Sequence, residues 1–148
     1  MSRVALDSNI LLYAQLEPGS AKGVRARDVI LRTSRDGVVP VQVLGEFLRV
    51  VQRRAPAEFE QAVKEVQLYR AAFTTPPTDA DVMERAAKLA ALHRLQVWDC
   101  VICAVAESAG AAALLSEDLQ DGRMLGGLRI LNPFTPANDA AIDALIGV

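Results

Sequence analysis

Val4-Ala5-Leu6-Asp7-Ser8-Asn9 is a short apolar run stopped by a carboxylate and two small polar residues. Such a run, apolar at consecutive positions, reads as a strand covered on both faces, the usual state of strands in helix-flanked parallel sheets. Asp7 then ends the strand on the side where open parallel sheets carry their sites. The same residues also allow a local reading, in which Asp7 only turns the chain through an Asx-turn.

Further strand and helix signals alternate outward from this stretch. Ile10-Leu11-Leu12-Tyr13 begins a helix broken by Pro18-Gly19, and Ser20 caps a second from about Ala21 to Asp36, ended by Gly37. Val38-Val39-Pro40-Val41 reads as a second strand. From Val41 to Arg53, Leu44, Phe47, Leu48 and Val51 follow the spacing of an amphipathic helix. Pro56 opens a helix towards Phe73, Thr74-Thr75-Pro76-Pro77 is an extended link or short strand, and Thr78 or Asp79 caps a helix through Ala91. Asp99, Ile102, Cys103 and Ala106 share a helical stripe that Gly110 stops. Ala112-Ala113-Leu114-Leu115 and Leu128-Arg129-Ile130-Leu131 are the remaining strands. The alternation predicts one α/β domain over 1–148 with a mostly parallel sheet.

Composition narrows the function. The chain has 148 residues, with 51% hydrophobic and 23% charged, which excludes a disordered or fibrous protein. Its apolar runs fall far short of a membrane span, and the stretch before Asp7 is no signal-peptide core, so a cytoplasmic protein is expected. A net charge of -2 excludes a generally basic nucleic-acid coat. Of the 16 basic residues only Lys22, Lys64 and Lys88 are lysines; Arg25, Arg27, Arg32 and Arg35 crowd the second helix, and Arg49, Arg53 and Arg54 the end of the third. Such runs read either as solvated helix faces or as an arginine rim for phosphate. Cys100 and Cys103 form a C-x-x-C inside an apolar helix and read as core. His93, near a helix end, reads as a surface or capping residue. No G-x-G-x-x-G or Walker A sequence is present.

Four acidic residues occupy positions where charge is costly to bury. Asp7 and Asp118 follow strands, Glu46 borders the apolar stripe of its helix, and Asp99 starts one. Carboxylates brought together either rise in pKa or recruit a cation, and oxygen-only ligands suit Mg²⁺ or Mn²⁺. Such ions activate water and stabilise in-line attack on a phosphodiester, chemistry that needs no histidine. Each acid also has a purely local role open to it. Asp99 could cap its helix, and Asp118 competes with Glu117 and with Asp121 of the turn pair Asp121-Gly122.

Val4-Ala5-Leu6-Asp7-Ser8-Asn9 resembles the opening of PIN-domain ribonucleases, especially VapC toxins of toxin–antitoxin pairs. Glu46, then Val97-Trp98-Asp99, then Leu114-Leu115-Ser116-Glu117-Asp118-Leu119-Gln120-Asp121-Gly122, then Ile130-Leu131-Asn132-Pro133-Phe134 match the remaining blocks in order. The resemblance implies a three-layer α/β/α sandwich and a Mg²⁺- or Mn²⁺-dependent endoribonuclease. It makes Asp7, Glu46, Asp99 and Asp118 the catalytic and metal-binding acids, with Asn9 and Ser116 in support and Asp121 assisting or replacing part of Asp118. Arg123, in the loop after Asp118, is a candidate substrate contact. The implied partners are tRNA, rRNA or mRNA, a small VapB-like antitoxin and a second copy of the chain. Two other readings stay open: a PIN scaffold that binds RNA or protein without cutting, and a phosphatase or phosphotransferase with Asp7 as nucleophile.

Overall fold

In the computed structural model, which describes residues 2–147, the first strand is β1 (Val4–Leu6), every residue of it buried. Helix α1 (Ser8–Leu16) follows without a loop because Asp7 is its N-cap, accepting a hydrogen bond from Ser8 N. The helix therefore starts two residues before the predicted Ile10 and carries Ser8 and Asn9 in its first turn. Helix α2 (Ala21–Thr33) is capped by Ser20, as expected, but stops before Asp36. Thr33 Oγ1 bonds back to Val29 O, and Arg35 takes a left-handed backbone (φ 89°) that no helix continues through.

Helices α3 (Val41–Arg54) and α4 (Phe59–Ala72) meet through Phe47 and Tyr69, whose rings stand edge to face at 6.0 Å. Helices α5 (Ala80–His93) and α6 (Val97–Ser108) pack on each other, and His93 ends α5. Strand β2 (Ala113–Leu115), the short strand β3 (Met124–Leu125), strand β4 (Leu128–Leu131) and helix α7 (Asp139–Ile146) complete the chain.

The sheet order is β1-β2-β4-β3, parallel except for the β3–β4 hairpin. Neighbouring residues of a strand face opposite sides, so complete burial of β1 and β2 requires cover on both faces: the predicted three-layer α/β/α arrangement. The predicted strand at Val38 shrinks to single parallel bridges, Val38 to Ala5 and to Thr74. Gly37 and Pro40 leave room for nothing longer, since Pro40 is already the N-cap of α3. Strand β3, helix α7 and the short 3-10 helix Pro136–Asn138 before it have no counterpart among the elements expected from the sequence.

Helix α6 lies between two apolar groups. Ile102, Cys103 and Ala106 join the main core, whereas Cys100, Val101, Ala104 and Val105 pack on Val82 and Ala86 of α5. Both thiols are buried and unbridged, and burial pushes Cys103 up to about 12, so they act as core residues. Two of the α2 arginines are structural. Arg25 binds Asp28, Asp139 and Pro133 O, and Arg32 binds Asp28 and Asp143, tying α2 to α7.

Helices α1 and α2 approach closely at Gly23, where a Cβ would lie 1.8 Å from Glu17 O. Gly23→Ala is therefore expected to destabilise the fold by about 1–3 kcal/mol through overpacking. A chemical-denaturation midpoint equal to that of the unsubstituted protein would contradict this account of the α1–α2 corner.

Candidate active site

Parallel pairing of β1 with β2 puts Leu6 opposite Leu115, so the next residues, Asp7 and Ser116, leave the sheet side by side. Asp7 is only 4% exposed and Ser116 is fully buried. Ser116 Oγ donates to Asp7 Oδ2 at 2.7 Å, and Ser8 N donates to Asp7 Oδ1 at 2.8 Å. Ser116 Oγ also accepts from Asn9 Nδ2 (3.3 Å) and from Asp118 N (3.2 Å), which uses the full capacity of a hydroxyl.

Asn9, in the first turn of α1, ties this centre to the loop after β2. Its Nδ2 lies 3.2 Å from Asp118 Oδ2 and 3.4 Å from Asp7 Oδ2, and its Oδ1 accepts from Glu117 N at 3.2 Å. Glu46 reaches the group from α3, its Oε2 accepting from Ser8 Oγ at 3.1 Å and its Oε1 from Gln42 Nε2 at 3.4 Å. Asp99, half-buried in the first turn of α6, is not the cap of that helix; Gln96 is. Among the described residues, the Asp99 carboxylate accepts no hydrogen bond.

Charge binds the four acids into one electrostatic unit. Burial, opposed by the bonds from Ser116 and Ser8 and reinforced by the charges of Glu46 and Asp118, raises Asp7 to about 6. Burial, then Glu46 and Asp118, also raises Asp99. Thus Glu46 and Asp118 act on both Asp7 and Asp99, with Asn9 and Ser116 as the polar braces between Asp7 and Asp118.

The other candidates stand elsewhere. Asp121 accepts from Asn132 N at 2.9 Å and from Asn138 Nδ2 at 2.9 and 3.1 Å, so it braces the loop against the segment after β4 and takes no part in the Asp7 network. Arg123 lies where its charge acts on Cys100 at the start of α6, and hydrogen-bonds none of the four acids. A flanking group went unread in the sequence. Glu117 accepts from Tyr13 Oη and pairs with Lys22 at 2.6 Å, while the Lys22 ammonium lies 5.1 Å from the Tyr13 ring centre. Burial raises the Glu117 carboxyl, but the bonds from Lys22 and Tyr13 outweigh it and hold it below its ordinary value. The available signal was helical spacing, which puts Tyr13 one turn after Asn9 on the same face of α1.

Among the described residues, no three His, Cys, Asp or Glu side chains converge as a ready coordination cage. The donor set nevertheless suits a hard cation that needs few protein ligands. Mg²⁺ takes one or two carboxylates and keeps most of its waters, and such a cation offsets both the burial that raises Asp7 and Asp99 and the smaller repulsion that Glu46 and Asp118 add. An imidazole or thiolate metal finds no ligands here, because both thiols belong to the core.

The raised Asp7 has a consequence for stability. Between the ordinary value near 4 and about 6 the folded protein binds this proton more tightly than the unfolded chain does. Its stabilisation is therefore full at the acid end and lost as pH rises through about 6. In metal-free buffer, the stability of the wild type relative to Asp7→Asn is expected to fall by about 2 kcal/mol between pH 4 and 7. Parallel pH profiles of melting for the two proteins would refute a buried, strained carboxyl at Asp7.

The fold has clear relatives. The chain superposes on VapC20 from Mycobacterium tuberculosis, a toxin that cleaves the sarcin–ricin loop, with a TM-score of 0.66 at 18% identity over 78% of this chain and 91% of that one. A toxin–antitoxin complex from Klebsiella pneumoniae gives 0.67 at 18% identity, covering 88% and 98%. DNA-bound VapBC from Salmonella typhimurium gives 0.67 at 16%, covering 90% and 99%. No curated protein matches significantly in sequence. The PIN domain model matches residues 4–120, the span that holds all four clustered acids, and the chain belongs to the PIN domain family.

Proposed function

We propose that this chain, folded as one domain over 1–148, is a metal-dependent endoribonuclease of the VapC toxin type. It hydrolyses RNA phosphodiesters in the cytoplasm and is silenced by a small antitoxin. The observation that carries the reading is the β1–β2 register, which sets Asp7 beside Ser116 and, through Asn9, beside Asp118, with Glu46 in electrostatic reach of Asp7 and Asp99 in reach of Glu46 and Asp118. The structural relatives described as toxins or toxin–antitoxin complexes support the biological setting.

Asp7 and Asp99 would be the chief ligands of Mg²⁺ or Mn²⁺, with Glu46 and Asp118 completing the site directly or through water. A cation held there would supply charge neutralisation at the scissile phosphate and would acidify a water. Ser116 and Ser8 N hold the Asp7 carboxylate in one orientation and favour its charged form, opposing the burial that would neutralise it. Ser8 and Gln42 each donate a hydrogen bond to one oxygen of Glu46. Asp99, without a hydrogen-bond donor among the described residues, keeps its oxygens free for metal or water. Asp7 suits a ligand better than a nucleophile, since it is buried and both of its oxygens are already engaged.

The antitoxin reading draws further support from the surface. A groove of about 350 Å³ between α1, α2 and α4 is lined in part by Ile30, Leu31, Leu68 and Tyr69. Leu31 and Leu68 are 66% and 60% exposed, apolar area that a protein partner covers.

Protein refolded from denaturant to strip any inhibitor is expected to cut tRNA or rRNA into discrete fragments with Mg²⁺ or Mn²⁺, and not with EDTA. Asp7→Asn and Asp99→Asn are expected to fold and to lose cleavage by about 100-fold or more, on the scale of removing a preorganised charge contact. Parent-rate cleavage by either variant would overturn the metal role. Removal of the Ser116 hydroxyl withdraws a bond that favours charged Asp7. In Ser116→Ala the acid limb of the pH–rate profile is accordingly expected to move to higher pH, and an unmoved limb would count against that role.

A further inference from the structure

Beside the acidic centre lies an open pocket of about 290 Å³. Leu12, Tyr13 and Leu16 of α1 form an apolar wall. Asn9 and Asp118 join it to the acids, and Arg54, the last residue of α3, also lines it. Arg54 is exposed, and among the described residues its guanidinium forms no ion pair or hydrogen bond. In this it differs from Arg25 and Arg32, whose charges are consumed by α7. Two other carboxylates border the pocket. Glu117 already has Lys22 as counter-ion, and Glu17 is exposed on the rim, where solvent screens it.

We propose that this pocket is a subsite for one nucleotide of single-stranded RNA next to the cleaved bond, with Arg54 anchoring its phosphate and the Leu12–Leu16 wall covering its base. The inference rests on the nuclease reading and names its substrate class. The volume sits at the small end of ligand pockets, suited to one ring system and not to a duplex. A base enters such a recess only when unpaired and unstacked, the state of loops and single strands. Apolar cover favours a base whatever its identity, while a planar guanidinium bonds two phosphate oxygens at once. Asn9 and Asp118 belong both to the pocket and to the acidic centre, so a nucleotide held here adjoins the phosphate that the acids face.

The test measures binding of labelled single-stranded RNA decamers, rA10, rC10 and rU10, to metal-free full-length Asp7→Asn protein across a salt series. Added Arg54→Ala is expected to weaken all three about tenfold and to reduce the salt slope by about 0.7, the loss of one phosphate contact on a single strand. Added Leu16→Trp, which fills the recess, is expected to weaken binding by a similar factor with the salt slope unchanged. Arg53→Ala, which alters a neighbouring arginine outside the pocket, serves as control, and thermal melts establish that each variant is folded. If Arg54→Ala behaves as Arg53→Ala, if Leu16→Trp binds as its parent, or if no decamer binds, the subsite is overturned.

A cleavage assay separates this from the parent reading. Metal-dependent cutting that is unchanged in Arg54→Ala keeps the nuclease and removes the subsite. Arg54-dependent binding with no cutting by the wild type keeps the subsite and removes the nuclease.

Discussion

The hydrogen bond from Ser116 to Asp7 is the constraint on which the site depends. It exists because two three-residue strands, separated by more than a hundred positions in the chain, pair in parallel with Leu6 opposite Leu115. A slip of one residue would exchange the faces of β1 and replace the carboxylate–hydroxyl pair with an apolar contact. Complete burial of both strands enforces the register, since every residue in them has an apolar place to fill. The polar network beyond it, from Ser116 to Asn9 and on to Asp118, holds only while that first contact is in place.

The same economy appears at the start of α1. Asp7 is at once the end of a strand, the cap of a helix and the most buried of the clustered acids. A cap normally satisfies amide groups that would otherwise face solvent. Here the capped turn also presents Ser8 to Glu46 and Asn9 to Asp118, so one local interaction aims two more side chains into the site. The local role of Asp7 and its place in the polar network are thus compatible, because Oδ1 accepts from Ser8 N while Oδ2 accepts from Ser116 Oγ.

Much of this was legible in the chain. Apolar runs ending in carboxylates marked β1 and β2, and helical stripes bordered by Glu46 and Asp99 placed those acids towards the interior. What escaped was set by distant partners. Val38 has the composition of a strand, yet Pro40 starts a helix too soon for a ladder to form. Asp121 has the credentials of an active-site acid, but two asparagines downstream claim it. Glu117 reads in the sequence only as a competitor of Asp118 and takes its meaning from Tyr13 and Lys22, which only the folded α1–α2 corner brings near. Helix α7 is short, with Ala141, Ile142, Leu145 and Ile146 as its apolar stripe, and its anchoring to Arg25 and Arg32 lies far away in sequence.

The sheet order β1-β2-β4-β3 has a consequence for when the protein acquires its chemistry. Strand β2 is inserted between the first strand and one of the last, and Ser116 N is held by Leu131 O of β4. A growing chain that has displayed Asp7, Glu46 and Asp99 still lacks the hydroxyl and the fourth carboxylate. Even after residue 118 has emerged, the strand bearing them has one edge unpaired until β4 follows. The pairings that build the site thus join distant parts of the chain, the contacts that cost a folding chain most loop closure.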